Sequence, residues 1–384
     1  MTSMPSKSEL TSLPTTNGDT TALRPVPRRE GFELGFDSFV ETSFDPAKRA
    51  RMSEAERLSD LLEEIALADQ VGLDIFGLGE HHRKEYLSSA PAVILAAAAA
   101  RTRMIRLASA VTVLSSDDPV RVFQDFATLD LISHGRAEMI VGRGSFIESF
   151  PLFGYDLENY DTLFSEKLDL LLRLRAETEI TWKGRHRASL NGQGVYPRPM
   201  QNPIPVRIAV GGTPQSVVRA AKLGLPLVLA IIGGEPHRFR PLLDLYREHW
   251  IRAGHSPDKI SIGIHSPGFI GDTTAGAAET LYPAYSDAFS AIGIERGWGP
   301  VTRAQYDALR SRDGALVVGD PGWVAEKIIR ENEVLGGINR FTLLLSGGPI
   351  PHRDVMRAIE LFGTKVAPVV REAIGASRKT PAPA

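Results

Sequence analysis

The sequence contains no cysteine among its 384 residues. This absence excludes disulfide bonds, catalysis by a thiolate, and zinc or iron–sulfur sites that are held by cysteine. A chain without cysteine is compatible with the reducing cytoplasm, where disulfide bonds rarely persist. The sequence therefore predicts a cytoplasmic protein whose chemistry does not depend on sulfur.

An excess of charge of one sign is also missing. Lysine and arginine together number 44, against 46 aspartates and glutamates, which gives a formal net charge of −2. No long basic run is present, and this argues against binding to nucleic acid or to an anionic membrane surface. The most apolar stretch, Ala90–Ala100, is shorter than the roughly 18 residues that a membrane helix needs, and Arg101 and Arg103 follow it.

The two ends of the chain have little apolar character. Residues 1–30 are rich in Thr, Ser and Pro, and they contain no apolar run like that of a signal peptide. We expect a disordered N-terminal tail, because such a segment cannot bury enough surface to become ordered. Residues 375–384 are similar, and we expect a flexible C-terminal tail. The intervening residues 31–374 are expected to form one domain.

Short apolar runs alternate with longer helical patterns in this domain. The predicted strands are apolar on both faces, as parallel strands covered by helices are. They are Phe32–Val40, Leu73–Leu78, Ile105–Leu114, Ala137–Val141, Val206–Val210, Leu225–Ile232, Ile260–Ile270 and Arg340–Leu345. Helical patterns lie between them, and a ninth one, His352–Arg371, closes the chain. Two of the helices have clear N-terminal signals, a capping box at Ser53–Glu56 and the pair Asp320-Pro321.

Eight strands that alternate with eight helices predict a (β/α)₈ TIM barrel. A doubly wound open sheet is the alternative, because strand order cannot be read from one sequence. Two stretches, Lys183–Pro205 and Gly293–Val317, are longer than ordinary loops. Long loops in compact domains are usually functional or mobile. The second lies before the last strand, and we interpret it as an insertion loop that acts as a lid.

The triplet Glu80-His81-His82 follows the second predicted strand. The carboxyl ends of the strands form the active-site face of a TIM barrel, so one histidine could face the mouth as an acid, a base or a hydrogen-bond donor. Packing as a buried, satisfied histidine is realistic for one of the two. Neighbours on a strand point to opposite faces, so the pair is a poor metal site and we expect no metal.

Two glycine-containing turns are candidates for binding an anion. Gly211-Gly212-Thr213-Pro214-Gln215-Ser216 follows the fifth strand and begins a helix, whose N-terminus attracts phosphate. Gly142-Arg143-Gly144-Ser145 ends the fourth strand and places a guanidinium at the mouth. The alternatives are an ordinary capped helix and a surface arginine on a turn. Strand–GxGxxG–helix, Walker A and GxSxG motifs are absent, so no dedicated nicotinamide domain is indicated.

Taken together, these features resemble the bacterial luciferase-like family of flavin-dependent monooxygenases. The resemblance covers most of Phe32–Glu372, and its motifs occur in the family's order. They are the Glu-His-His triplet, Ile105–Arg121, Leu129–Gly144, the turn from Gly211 to Ser216 with Ala220–Pro226, Val318–Pro321 and Glu360–Phe362.

The resemblance implies a luciferase-like barrel that binds FMN at its C-terminal mouth. His81 matches the family's catalytic histidine, with Glu80 and His82 in support. Ala110 and Val111 match the position where the family often has a non-prolyl cis peptide bond beneath the flavin ring. Positions that match flavin or phosphate contacts are Arg143, Ser145, Gly211, Gly212, Thr213 and Ser216. Gly142 stands where the luciferase α subunit has a cysteine, so nothing supports light-emitting aldehyde oxidation.

The expected function is that of a two-component monooxygenase, which uses reduced FMN and O₂ to oxidise a small organic substrate. A separate NAD(P)H:flavin reductase would supply the reduced FMN, and the family suggests a homodimer. The alternatives are a deazaflavin-dependent hydride-transfer enzyme on the same barrel and a flavin-binding protein without catalysis. The substrate cannot be read from the sequence. Aromatic residues near strand ends could line a pocket or close the barrel. His265 on the seventh strand could face the mouth, but we expect it to be buried and satisfied.

Overall fold

The structure is a computed structural model that describes residues 25–27, 30–42, 44–45, 50–144, 146–345 and 350–379. Most of the expected N-terminal tail, the last five residues and Ser145 lie outside the described residues. Within the expected tail, the Val26 N–H donates to the His134 carbonyl at 2.9 Å, so residues 25–27 lie against the body of the protein. At the other end, the last helix continues to Lys379, past the expected boundary at residue 375.

Eight parallel strands form a closed barrel. In chain order they are β1 Glu33–Ser38, β2 Ile75–Leu78, β3 Arg106–Ser109, β4 Ala137–Gly142, β5 Val206–Val210, β6 Leu227–Ala230, β7 Ile262–Ile270 and β8 Arg340–Leu344. Each strand pairs with the next one, and β1 pairs with β8 with Glu33 opposite Arg340. Because the first and last strands pair, the TIM barrel is confirmed and the open sheet is wrong.

Helices cover the outside of the barrel. They are α1 Glu54–Gln70, α2 Pro91–Ala99, α3 Pro119–Ile132, α4 Ser149–Leu152, α5 Tyr160–Ala176, α6 Pro214–Lys222, α7 Arg240–Arg252, α8 Thr274–Arg296, α9 Arg303–Leu309, α10 Pro321–Val334, α11 His352–Leu361 and α12 Ala367–Lys379. Short 3₁₀ turns lie at Leu157–Asn159, Pro236–Phe239 and Pro257–Lys259, and a π turn lies at Phe362–Val366. The capping signals are confirmed: Ser53 and Glu56 bond reciprocally, and Asp320 accepts from the amides of Gly322 and Trp323.

Three stretches differ from the sequence-based expectation. The predicted third strand is divided into β3 and the pair Thr112–Val113, on either side of a cis peptide bond between Ala110 and Val111. The stretch Lys183–Pro205 contributes Leu190–Gly194 to an antiparallel hairpin with Glu179–Trp182. The expected lid loop is largely ordered: α8 extends through its first residues, and α9 lies inside it. A capping box between Thr302 and Gln305 explains why α9 begins where it does.

The core has an outer layer and an inner layer. The outer layer lies between the strands and the helices and contains most of the buried apolar side chains. The inner layer lies inside the barrel and contains Ile75, Ala108, Ile140 and Val228, one from each of four strands. This filling makes the barrel a packed body and leaves the carboxyl ends of the strands as the place for a cavity. Among the described residues, no helix combines the length and apolarity required to cross a bilayer.

Candidate active site

A cavity of about 390 Å³ lies at the carboxyl ends of the barrel strands. Six of the eight barrel strands contribute wall residues: Asp37, Gly142, Val210, Ala230 and Leu344 lie at or next to the ends of their strands, and His265 lies within β7. The loops after β2 and β3 add the triplet and the cis peptide segment, and α8 with the following residues covers the side near β7. The structure therefore brings residues from distant parts of the sequence to one site.

Glu80 fixes the position of the histidine triplet. Its Oε1 accepts from His82 Nε2 at 2.8 Å, and its Oε2 accepts from the Val113 N–H at 2.8 Å. The Glu80 N–H also donates to the Val111 carbonyl at 3.0 Å. Because both carboxylate oxygens are occupied, Glu80 ties the loop after β2 to the segment after β3. It holds its neighbours in place and has little capacity left for a ligand.

His81 lies in a box of aromatic side chains. Its ring is buried, and ring centroids lie 4.4 Å from Phe39, 4.6 Å from Tyr86 and 5.2 Å from Phe146. Burial, with smaller contributions from His82 and Arg83, lowers the pKa of His81 to about 3. The imidazole is therefore neutral at physiological pH. It can accept a proton or a hydrogen bond from a ligand, and it lines the cavity.

Arg143 and the start of α6 form a polar end of the cavity. Arg143 donates to Asp161 Oδ1 at 2.6 Å and to Thr213 Oγ1 at 3.3 Å. Thr213 is the N-cap residue, with Pro214 at the first helical position, but the described residues give α6 no side-chain cap. An ideal Cβ at Gly211 would meet no atom within 4 Å, so the backbone here is accessible. This end combines a guanidinium with a helix N-terminus, which is an arrangement that suits a phosphate.

The cis peptide bond between Ala110 and Val111 forms part of the cavity floor. The Ala110 N–H donates to the Leu78 carbonyl at 2.7 Å. An ideal Cβ at Gly142 would lie 3.0 Å from the Val111 side chain, so this glycine allows β4 to approach the segment closely. The cis bond expected from the resemblance is present at this position.

The structure collects most, but not all, of the predicted site residues around the cavity. Those that line it are Glu80, His81, His82, Ala110, Val111, Arg143, Gly211 and Thr213. Gly212 and Ser216 are not among the described lining residues, although Ser216 is buried one turn into α6. Ser145 lies outside the described residues. The proximity of these groups does not assign their roles, which stay predictions.

The sequence did not point to Asp37 or to its pairing with His265, and both residues line the cavity. Asp37 at the end of β1 accepts a hydrogen bond from His265 Nδ1 on β7, with the two atoms 2.6 Å apart. His265 is buried and bonded, as expected, but it also lines the cavity. The available signal was a charged residue inside an otherwise apolar strand. Of the aromatic residues near strand ends, Phe39 and Phe146 line the cavity, whereas Phe36 and Phe150 are buried and do not line it.

An ion-pair cluster fixes the cover of the cavity. Phe289 and Ile292 line it from α8, and Trp298, the second residue after the helix, lines it as well. Arg83, which follows the histidine triplet, donates to both carboxylate oxygens of Glu295 near the end of α8. It also donates to Glu148 at 2.7 Å.

The cavity combines a polar end with apolar walls. The polar end offers Arg143 and an open helix N-terminus, which would hold the phosphate of a flavin nucleotide. Val111, Ile140 and Val228 are among the apolar residues that contribute to the lining. Among the described residues, no group of three or more His, Cys, Asp or Glu side chains is arranged to hold a metal ion.

A closed barrel with polar side chains gathered at the carboxyl ends of its strands defines an enzyme of the (β/α)₈ class. The family model for luciferase-like monooxygenases matches residues 40–337. The chain therefore belongs to the luciferase-like monooxygenase family and is an oxidoreductase.

Two relatives show how far the similarity extends. The uncharacterized protein y4vJ of Sinorhizobium fredii (strain NBRC 101917 / NGR234) is 25% identical over 347 residues, covering 85% of this chain and 95% of the relative. The N-acetyl-S-alkylcysteine monooxygenase of Bacillus subtilis (strain 168) is 31% identical over 192 residues, covering 48% of this chain and 55% of that enzyme. The first similarity spans nearly the whole relative, whereas the second spans about half of it.

Three solved structures share the fold. The monooxygenase RslO1 from Streptomyces bottropensis has a TM-score of 0.75 at 25% identity, covering 88% of this chain and 99% of that chain. The oxygenating constituent of 3,6-diketocamphane monooxygenase from Pseudomonas putida, in complex with FMN, has a TM-score of 0.69 at 19% identity, covering 88% and 99%. An F420-dependent secondary alcohol dehydrogenase has a TM-score of 0.70 at 21% identity, covering 89% and 100%. The same fold thus occurs in a protein whose structure holds FMN and in an F420-dependent enzyme.

Proposed function

We propose that the protein is an FMN-dependent monooxygenase that oxidises a small organic substrate with O₂. The observation that carries this proposal is the cavity itself. It places a neutral, buried histidine and a flat backbone segment at the centre, and a guanidinium with a helix N-terminus at one end. When bound, reduced FMN supplies the electrons that activate O₂.

The residues around the cavity have separate tasks in this proposal. Arg143 and the first turn of α6, with Thr213, hold the phosphate. Gly211 and Gly212 allow the backbone to approach it, and Ser145 and Ser216 are further candidates for polar contacts. Ala110 and Val111 support the ring, and His81, held in place through Glu80 and His82, accepts a hydrogen bond near the ring and holds a proton only transiently during its transfer. Proton handling by a positioned side chain contributes about 10²–10⁴-fold to rate.

The same proposal includes a separate NAD(P)H:flavin reductase, because the sequence contains no nicotinamide-binding motif. We also propose a cytoplasmic homodimer. Its support is the apolar exposure on and beside α2 and α3, where Val93 is 71% exposed and Met104 is 58% exposed, with Leu131 and Ile132 also exposed. The Ala-rich helix α2 would permit the close approach of a second copy.

The decisive experiment is an anaerobic titration of the purified protein with reduced FMN and, separately, with reduced deazaflavin, each followed by oxygen. We expect preferential binding of reduced FMN and rapid oxidation of the bound flavin when oxygen is added. Preferential binding of the deazaflavin, with no reaction toward oxygen, would overturn the monooxygenase and favour hydride transfer on the same barrel. Flavin binding without substrate-dependent oxygen consumption across a substrate panel would favour a flavin-binding protein without catalysis.

The variant Arg143→Ala tests the assignment of the phosphate end. Loss of a charged hydrogen bond costs about 1.5–3 kcal/mol, so we expect FMN binding to weaken by roughly 10- to 100-fold. Riboflavin, which has the same ring but no phosphate, should bind the variant and the wild type alike. Arg303→Ala is the matched control, because Arg303 pairs with Glu279 and Asp307 and does not line the cavity. Unchanged FMN binding by Arg143→Ala would remove the assignment.

A further inference from the structure

The pair Asp37 and His265 lies on the side of the cavity opposite the phosphate end. The barrel order places β1 and β7 beside β8, whereas Arg143 and Thr213 follow β4 and β5. Asp37 is 2% exposed and His265 is 7% exposed. The flavin contacts proposed above use neither residue. A buried carboxylate bonded to a buried imidazole at a cavity wall therefore needs a separate account.

Each member of the pair has one polar atom that the described residues leave without a partner. Asp37 Oδ1 is buried and has no hydrogen-bond partner there. His265 Nδ1 is bonded to Asp37 Oδ2, so Nε2 is the nitrogen that remains for a ligand. Gly77 on β2 makes this arrangement possible, because a Cβ at that position would lie 2.1 Å from Asp37 Oδ1.

The orientation of His265 follows from its bond to the carboxylate. An ionised carboxylate only accepts hydrogen bonds, so the proton of a neutral imidazole resides on Nδ1, and Nε2 carries the lone pair. This is the arrangement in which a histidine acts as a base that a third group orients. The carboxylate also stabilises the imidazolium that forms when Nε2 takes up a proton.

The neighbouring side chains indicate what this end can accept. Phe39 lies nearly parallel to the His265 ring, at 6.2 Å and 25°, and separates it from His81. Phe289 adds an aromatic surface from α8. The other titratable groups that line this half are Glu41, Tyr86 and His81, and the one guanidinium among the described lining residues lies at the phosphate end. A substrate that arrives as an anion finds no guanidinium in this half, whereas a neutral aromatic ring with an acidic hydrogen is compatible with the aromatic walls and can give its proton to His265.

We propose that His265, positioned by Asp37, accepts the hydroxyl proton of a phenolic substrate at this end of the cavity. The phenol O–H bond breaks, the Nε2–H bond forms, and the electron pair remains on the substrate oxygen as a phenolate. The Asp37 carboxylate balances the charge of the imidazolium. The proposal rests on the proposed function only in that the phenolate, which is richer in electrons than the phenol, is the species that is oxidised.

Binding of 4-nitrophenol to the full chain tests the proposal, because its phenolate absorbs visible light and its phenol does not. We expect the wild type to lower the apparent pKa of the bound probe relative to free 4-nitrophenol. His265→Gln should remove that shift and weaken binding by about 10- to 100-fold. Asp37→Asn, which keeps the shape of the side chain but removes its charge, should remove part of the shift.

Two controls separate this test from folding and from the flavin proposal. His237→Gln makes the same change at an exposed histidine outside the cavity lining, and should leave the shift unaltered. FMN binding and thermal unfolding of each variant report on the fold, since neither Asp37 nor His265 lies at the phosphate end. Failure to bind 4-nitrophenol, or an equal shift in wild type and His265→Gln, would overturn the proposal even if FMN binds. Loss of FMN binding by the wild type would instead overturn the flavin assignment.

Discussion

His81 is uncharged in the folded protein because its ring is enclosed by Phe39, Tyr86 and Phe146. A buried histidine with a depressed pKa has a definite effect on stability. The unfolded chain binds a proton at this residue below its ordinary pKa of about 6.5, whereas the folded chain binds it only near pH 3. At neutral pH His81 is uncharged in both states. As the pH falls below about 6.5, only the unfolded chain gains a proton at this residue, so the free energy of unfolding decreases progressively.

The first prediction at the residue scale follows from this sign. His81 should lower the free energy of unfolding by about 2 kcal/mol between pH 7 and pH 5. His81→Gln should show a shallower loss over that range, whatever its stability at pH 7. Chemical denaturation at several pH values measures the slope. His237→Gln, at a histidine with 57% side-chain exposure, should keep the wild-type slope. Equal slopes for wild type and His81→Gln would contradict the neutral, buried state of His81.

Asp161 is the residue that most directly opposes a phosphate at Arg143. Its carboxylate bonds to the guanidinium at 2.6 Å and is 68% exposed. Asp161→Asn should strengthen FMN binding by about 1.5- to 5-fold, which corresponds to the 0.2–1 kcal/mol typical of an exposed ion pair. Riboflavin binding should not change, because the effect acts through the phosphate. Fluorescence quenching of both flavins measures this, with Asp244→Asn, at another Arg-paired surface position, as control. Weaker FMN binding would show that Asp161 positions Arg143 productively.

At the scale of elements, α8 and the histidine triplet are connected by Arg83. The bonds from Arg83 to Glu295 link the end of α8 to the loop after β2, so the cover of the cavity is fastened to the loop that carries the histidine triplet. Neither residue stood out in the sequence, because the two positions are separated by 212 residues. The Gly and charged residues of Gly293–Val317 predict a loop, yet the first residues of this segment continue α8.

The variant Glu295→Gln tests this connection. We expect faster amide hydrogen exchange over residues 286–296, because the last turns of α8 lose their tie to Arg83. The melting temperature should change little, since the Glu295 side chain is half exposed and Arg83 keeps Glu85 and Glu148 as partners. Glu279→Gln is the matched control. Glu279 lies on the same helix as Glu295, and its pair with Arg303 of α9 is at the surface. Exchange that is unchanged by Glu295→Gln would mean that apolar contacts alone hold the end of α8.

At the scale of the whole molecule, a buried charge network closes the end of the barrel opposite the cavity. Glu138 on β4 bonds to Arg207 on β5 at 3.0 Å and to Arg340 on β8 at 3.1 Å. Arg340 also bonds to Glu33 on β1 at 2.7 Å. Burial by itself would raise the pKa of Glu138, but Arg340 and Arg207 more than offset it, so the pKa lies well below its ordinary range.

Glu138→Gln should destabilise the protein by about 3–5 kcal/mol, because it removes the buried carboxylate that Arg207 and Arg340 share and leaves Glu33 to balance both guanidinium groups. Since the pKa is depressed, this contribution is present above about pH 4.5 and is lost as the pH falls further. Denaturant unfolding at pH 7 measures the effect, and Asp307→Asn at a surface pair should leave stability unchanged. A small effect of Glu138→Gln at pH 7 would mean that solvent reaches the network.

Much of the fold could be predicted from local pattern. The position of β5 is reproduced to the residue, and the other barrel strands lie within a few residues of their expected ends, apart from the divided third strand. The expected last helix, His352–Arg371, is divided by a π turn and continues to Lys379. Apolar runs covered on both faces leave one dominant choice for a strand, and capping residues fix where helices begin. The local pattern gave no strand order, so closure between β1 and β8 depended on the tertiary structure.

The candidate site divides in the same way. The sequence by itself determined the triplet and the two glycine turns, because each is a contiguous motif at the end of a strand, and the position of the cis peptide bond came from the resemblance to the family. Only the tertiary structure decided that Asp161 pairs with Arg143, that Arg83 connects to Glu295, and that Asp37 bonds to His265. Each of these contacts joins residues that are distant in the chain. Their partners are set by barrel closure, which gathers eight strand ends around one cavity.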